Sequence, residues 1–186
     1  MILGAAADVV VELGPARATV GAIADRLGAP TGSIYHRFAS RDGLLAELWL
    51  RTVESFQAAF NEALAGEDPR EAGLNAALHT PRFARDQPTS AQLLMLHSRE
   101  DFTRGQWPEE IEARASALGS ELSAVVRSFA RRALGSTGAP AMRRARYAVI
   151  DLPGAAIRPH LRSREAIPAV VDDLVRDAYL AVVPRR

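Results

Sequence analysis

The chain has 186 residues, 48% of them hydrophobic and 24% charged, which allows a sizeable buried core and excludes a disordered chain. It has no cysteine, so disulfides, thiolate nucleophiles and Cys-held zinc are excluded, and no apolar run approaches the ~20 residues of a membrane helix. The formal net charge is only +1, every basic residue is arginine, and residues 1–50 place Arg17, Arg26, Arg37 and Arg41 against Asp8, Glu12, Asp25, Asp42 and Glu47, which excludes a broad basic field.

The chain opens Met1-Ile2-Leu3-Gly4-Ala5-Ala6-Ala7 without the basic flank of a signal peptide, and Asp8 and Glu12 interrupt its apolar stretch, so a soluble cytoplasmic protein is expected. A helix over 2–13 should stop at Gly14-Pro15. Thr19 can cap a second helix over 20–27 whose inner face is Val20, Ile23, Ala24 and Leu27, ended by Gly28. A third short helix is expected over about 30–37. Ser40 then caps a long fourth helix over 41 to about 64, with Leu44, Leu45, Leu48, Trp49, Thr52, Phe56 and Phe60 turned inward. Beyond Gly66 to Pro69, helices are expected near 70–79, 89–103, 108–134, 139–158 and 165–182. The expected breaks are Thr80-Pro81, Asp86 to Pro88, Gly105 to Pro108, Gly135 to Pro140 and Pro159 to Arg164. Period-2 alternation is absent, so the fold class is all-α.

Two short helices joined by a tight turn at Gly28 form a helix-turn-helix, whose second helix fits the major groove. Thr31, Gly32 and Ser33 at its start are small or hydroxylic and let the backbone approach a duplex closely. Ile34 and Phe38, one turn apart, should face the protein, leaving Tyr35 and His36 outward. Arg41 opposes the dipole of the next helix, a placement that a phosphate partner would explain.

These residues resemble the TetR family of regulators. The family pattern appears as Ile23-Ala24, Gly28-Ala29-Pro30, Gly32-Ser33-Ile34-Tyr35, Phe38, Ser40-Arg41 and Leu44, ungapped over roughly the first quarter of the chain. The resemblance implies a three-helix DNA-binding domain over 1–46 and a helical ligand-binding and dimerisation domain over 47–186. It also implies that Thr19, Thr31, Tyr35, His36 and Arg41 hold phosphates, with Ser33 and its neighbours Pro30 and Gly32 at bases. The family mostly represses, so a repressor of a palindromic operator, released by a small-molecule effector, is expected. Pro30 stands where the family commonly has a Ser cap, Gly21 where a polar or basic residue is usual, and Thr31 replaces a frequent Lys. These departures, and the lack of a basic arm ahead of Met1, imply weaker non-specific binding; an upstream segment is an expectation.

In the middle third, Phe83, Leu94, Met95, His97, Phe102 and Trp107, with Phe60, are ordinary core residues or the lining of an effector pocket to which His97 or Arg104 adds a polar group. Two apolar stripes follow: Met142, Ala145, Val149, Leu152 and Ala156, then Ile167, Val171, Leu174, Ala178 and Val182. Pro153 should kink the first helix. The resemblance assigns Met142, Val149, Leu152, Ala156, Val171, Leu174 and Ala178 to an isologous homodimer; packing within one chain accounts for the same stripes. His97 and Glu100 have a metal-like spacing without a second pair, and no catalytic constellation occurs, so no metal, cofactor or enzymatic activity is expected. The competing expectation is a helical small-molecule carrier or enzyme with a vestigial head.

Overall fold

The computed structural model describes residues 1–103 and 107–184, and among them it contains helices and no strand. The chain divides into two compact units: residues 1–54 with 89–116, and residues 55–88 with 117–186.

In the first unit, α1 (Ile2–Leu13) ends at Gly14, whose φ of 82° suits glycine, and a 3-10 turn at Pro15–Arg17 follows. Thr19 caps α2 (Val20–Leu27), its hydroxyl accepting the Ala22 N–H at 3.1 Å, and Gly28 closes that helix in the left-handed conformation. α3 (Thr31–Tyr35) follows Pro30, and α4 (Arg41–Leu64) begins after Ser40, whose Oγ accepts the Gly43 N–H. These helices close over one core of Ala6, Val9, Val10, Ile23, Ile34, Leu44 and Leu45, with Leu93 of α6 (Pro88–Leu96) and Phe102 added to it. The expected helix over 89–103 is broken at Leu96. A 3-10 turn at Arg99–Phe102 follows, because Ser98 and Asp101 form a reciprocal capping box that starts a new turn there. α7 (Glu109–Leu134) contributes its first turns to this unit and continues in the second.

In the second unit, α5 (Pro69–Asp86) runs straight through the expected break at Thr80-Pro81. Pro81 removes one backbone donor, a cost of ~3 kcal/mol. Burial of Thr80, Phe83 and Ala84 around it keeps the helix intact, Phe83 alone contributing ~1.5–3 kcal/mol. α8 (Ala139–Arg146) and α9 (Leu152–Ser163) are joined by a π turn at Tyr147–Asp151, where the Leu152 N–H reaches back to Tyr147 O. Pro153, in the first turn of α9, lacks an N–H, and the widened turn accommodates it without a break. Pro159 likewise stays inside α9, which ends at Arg164 with φ 57°. α10 (Val170–Val182) packs on α5 and α9.

The unit's core is built on close approach. An added Cβ on Gly73 would lie 2.2 Å from the Tyr179 hydroxyl and 2.5 Å from the Phe129 ring. Tyr179 is fully buried and donates to Arg70 O at 2.9 Å, and burial pushes its phenol well above the usual tyrosine range. Arg85 joins α5 to α10 through Asp172 at 2.7 Å and to Ile167 O at 3.1 Å. Arg132 caps the end of α4, donating to Leu64 O and Gly66 O.

Candidate nucleic-acid interface

The outer surface of the helix-turn-helix follows from which side chains its core consumes. Ile34 is 1% exposed and fixes the rotation of α3, with Phe38 half-buried against the same cluster. Its five-residue helix is too short to stand alone, so this burial determines its orientation. The opposite side leaves Thr31, Gly32, Ser33, Tyr35 and His36 exposed, with Pro30 and Thr19 beside them. Ser33 Oγ donates to Pro30 O at 2.7 Å, and the helix starts at Pro30 without a side-chain cap. A Cβ at Gly32 would meet nothing within 4 Å. No intrachain packing therefore demands glycine there.

Arg41 has partners within the chain. Its guanidinium is half-buried and donates to Ala18 O at 2.8 Å, to Pro15 O, and to Asp42 Oδ1 at 2.7 Å. Two backbone carbonyls and its neighbouring carboxylate account for its place at the start of α4 in this chain, and no phosphate is needed to do so. The other arginines of residues 1–54 are also engaged: Arg17 with Leu13 O, Arg26 with Glu12, and Arg51 with Glu47. Arg37 is the exception. Exposed next to His36, its guanidinium has no hydrogen bond or ion pair to any described residue. Sequence reasoning passed over it, because the carbonyl acceptors that occupy Arg17 and Arg41 are not visible in a count of acids.

Behind this surface, α7 holds α4 through charge. Arg114 donates to Glu47 Oε2 at 2.8 Å and to Glu54 Oε1 at 2.7 Å, while Glu47 Oε1 takes Arg51 Nε at 2.6 Å. Burial pushes the Glu47 carboxyl up, but hydrogen bonds and charge from Arg51 and Arg114 outweigh it and hold the group below the usual carboxylate range. An open cleft of about 740 Å³ runs past Arg37, Phe38, Glu47, Ile111 and Arg114.

The expected effector residues divide between the units. Phe60 and Phe83 are buried in the second, in a ring cluster with Phe56 and His79. Leu94, Met95, His97, Phe102 and Trp107 belong to the first. Phe102 and Trp107 are packed core there, Trp107 meeting Trp49 edge-on at 5.3 Å with the Arg99 guanidinium 4.2 Å above its ring. Leu94, Met95 and His97 are half-buried, and His97 lies edge-on to Phe102 at 6.0 Å. Arg104 lies outside the described residues. None of the seven lines the 740 Å³ cleft or the smaller clefts of the second unit. Asp101 is taken by Ser98, and the described residues contain no group of three metal-competent side chains.

Of the expected dimer residues, Val149 and Val171 are buried within their own chain and are withdrawn as partner contacts. The π turn inserts an extra residue, so beyond Val149 the inner stripe shifts to Pro153, Ile157 and Leu161. Met142, Leu152, Ala156 and Ala178 are half-buried and Leu174 is 59% exposed. Tyr147 and Val170, which periodicity did not single out, are also exposed apolar groups.

The fold is thus that of a helix-turn-helix unit on an all-α chain. Residues 2–48 match the family model described as bacterial regulatory proteins, tetR family, and the chain shares its fold along its whole length with solved structures that are at most 20% identical to it. A tetR-family regulatory protein from Rhodococcus RHA1 is 16% identical, with a TM-score of 0.77 over 100% of this chain and 96% of that one. PfmR from Thermus thermophilus is 19% identical, with a TM-score of 0.74 over 98% and 96%. FadR from Bacillus subtilis, solved in complex with stearoyl-CoA, is 15% identical, with a TM-score of 0.70 over 98% and 96%. No curated protein matches the chain in sequence. Among the described residues, no helix is long and apolar enough to cross a membrane.

Proposed function

We propose that the protein is a ligand-responsive transcription regulator, a repressor that binds a palindromic operator as a homodimer and releases it on binding a small-molecule effector. The observation that carries this reading is the division of α3: Ile34 is consumed by the core, while Thr31, Gly32, Ser33, Tyr35, His36 and Arg37 are left on one solvent face. Base edges fall to Ser33 with Pro30, Thr31 and Gly32, and phosphates to Thr19, Tyr35, His36 and Arg37. Residues 1–46 serve DNA, and 47–186 serve ligand and partner.

A single head reads few base pairs; two heads on a dyad read half-sites ~34–36 Å apart. The partner surface is assigned to Leu174 with Met142, Leu152, Ala156 and Ala178, joined by Tyr147 and Val170. The effector is assigned to half-buried Leu94, Met95 and His97 beside Phe102 and Trp107. The indole N–H groups of Trp49 and Trp107 are buried with no acceptor among the described residues, a cost of ~1–3 kcal/mol each that an oxygen-bearing ligand would relieve. That FadR from Bacillus subtilis was solved with stearoyl-CoA supports a small-molecule ligand for this fold. A differential affinity of ~1–3 kcal/mol suffices to lower operator occupancy.

Selection of duplexes from a random-sequence pool, followed by fluorescence anisotropy at several salt concentrations, tests the reading. A pseudo-palindrome should emerge, and Arg37→Ala should weaken its binding and reduce the salt slope by ~0.9 for the lost phosphate contact. Failure to select any duplex would leave the second reading, a helical carrier or enzyme with a vestigial head, which the near-complete internal pairing of the arginines in residues 1–54 favours.

A further inference from the structure

The Arg114 bridge does more than neutralise charge. Glu47 is a carboxylate with a 12% exposed side chain, and such a group needs charged partners to remain ionised. It has two of different kinds. Arg51 is one turn along the same helix, so its bond to Glu47 leaves α4 free to move as a whole. Arg114 comes from α7, and its two terminal nitrogens hold Glu47 and Glu54, two turns apart on one face of α4. Two separated anchors on a rigid helix oppose both translation and rotation. Only a planar guanidinium offers two diverging N–H groups in a fixed fork, so lysine does not reproduce the arrangement.

The adjoining face of α4 carries Leu44, Leu45 and Leu48 into the core that also contains Ile34, the residue that fixes α3. The angle of α4 therefore sets how α3 is presented. We propose that Arg114 is a positioning residue for DNA recognition, holding α4 and with it the exposed face of α3 in the operator-binding orientation through its fork to Glu47 and Glu54. The inference rests on the reading of α3 as the recognition helix.

The test uses the full chain and the duplex that the wild-type protein itself selects. Arg114→Met and Arg51→Met each leave Glu47 with one cation, so both should lower the thermal midpoint modestly, Arg114→Met somewhat more because it also strips half-exposed Glu54 of its partner. Only Arg114→Met removes the ion pairs that tie α4 to the first turns of α7, and its operator affinity should fall by about tenfold while Arg51→Met stays within about twofold of wild type. A purely structural role predicts affinity losses that only follow the two midpoint shifts. Should Arg114→Met not fold, Glu54→Gln removes one anchor at a half-exposed position and should weaken binding by about threefold with an unchanged midpoint. Wild-type affinity in both Arg114→Met and Glu54→Gln, or an equal loss in Arg51→Met, overturns the proposal. If the wild-type chain selects no duplex, the recognition-helix reading itself has failed, before any variant is compared.

Discussion

Gly32 separates what the fold needs from what a duplex needs. It lies in the first turn of α3 with an ordinary helical φ, and a Cβ built there meets nothing within 4 Å. Glycine in a helix costs ~0.5–1 kcal/mol relative to alanine, and leucine is nearly as favourable as alanine. For a chain of this length, Gly32→Leu should therefore leave the thermal midpoint unchanged or raise it by about 2–4 °C. Against a duplex the sign reverses. Leucine on the face formed by Thr31, Ser33 and Tyr35 would push the helix from the groove floor and forfeit at least one base contact, worth ~1–3 kcal/mol. Anisotropy with the selected duplex should show affinity about 5- to 150-fold weaker, with Gly32→Ala between leucine and wild type. Unchanged affinity for Gly32→Leu would mean that this face does not meet DNA. A lowered midpoint would mean that the open space above Gly32 is not there.

Three further outcomes follow from packing and titration. Gly73→Ala should destabilise the chain by ~1–3 kcal/mol or more in chemical denaturation, because neither the buried Tyr179 hydroxyl nor the Phe129 ring can retreat from the new methyl. Burial holds His79 below the ordinary histidine range, and its Nε2 lies 3.1 Å from Phe56 O. The unfolded chain therefore takes up a proton first as pH falls, so stability should drop as pH falls through the ordinary histidine value of ~6.5, and His79→Gln should flatten that drop in urea titrations between pH 8 and 5.5. Leu174→Glu should leave the midpoint nearly unchanged, since the side chain is 59% exposed, but shift sedimentation from dimer to monomer. A dimer that persists would move the partner surface elsewhere.

Local chemistry carried the readable part of the fold. The caps at Thr19 and Ser40 and the left-handed Gly28 act within a few residues of themselves, and the sequence is enough to place them. The breaks expected at Pro81 and Pro159 did not occur because tertiary burial outweighs one lost backbone donor, and burial is not visible in a single segment. The α8–α9 stripe diverged after Val149 for a geometric reason: a π turn adds a residue, and a fixed 3.6 period cannot anticipate it. On the exposed face of α3, the spacing of Ile34 and Phe38 alone indicated which side chains face outward. The acceptors of Arg41 within the chain, Pro15 O and Ala18 O, are backbone atoms that a side-chain pattern does not reveal. Arg37 and Arg114 emerge only once the described arginines of the first unit have been traced to their acceptors.

The internal use of Arg17, Arg26 and Arg41 has a consequence for how such a protein would occupy a chromosome. With few guanidinium groups left to displace condensed counterions, arbitrary duplex offers it little electrostatic hold. Most molecules would then remain off the bulk of the genome and available to the intended sequence. Occupancy there would be set by hydrogen bonds to bases and would vary little with the ionic state of the cell.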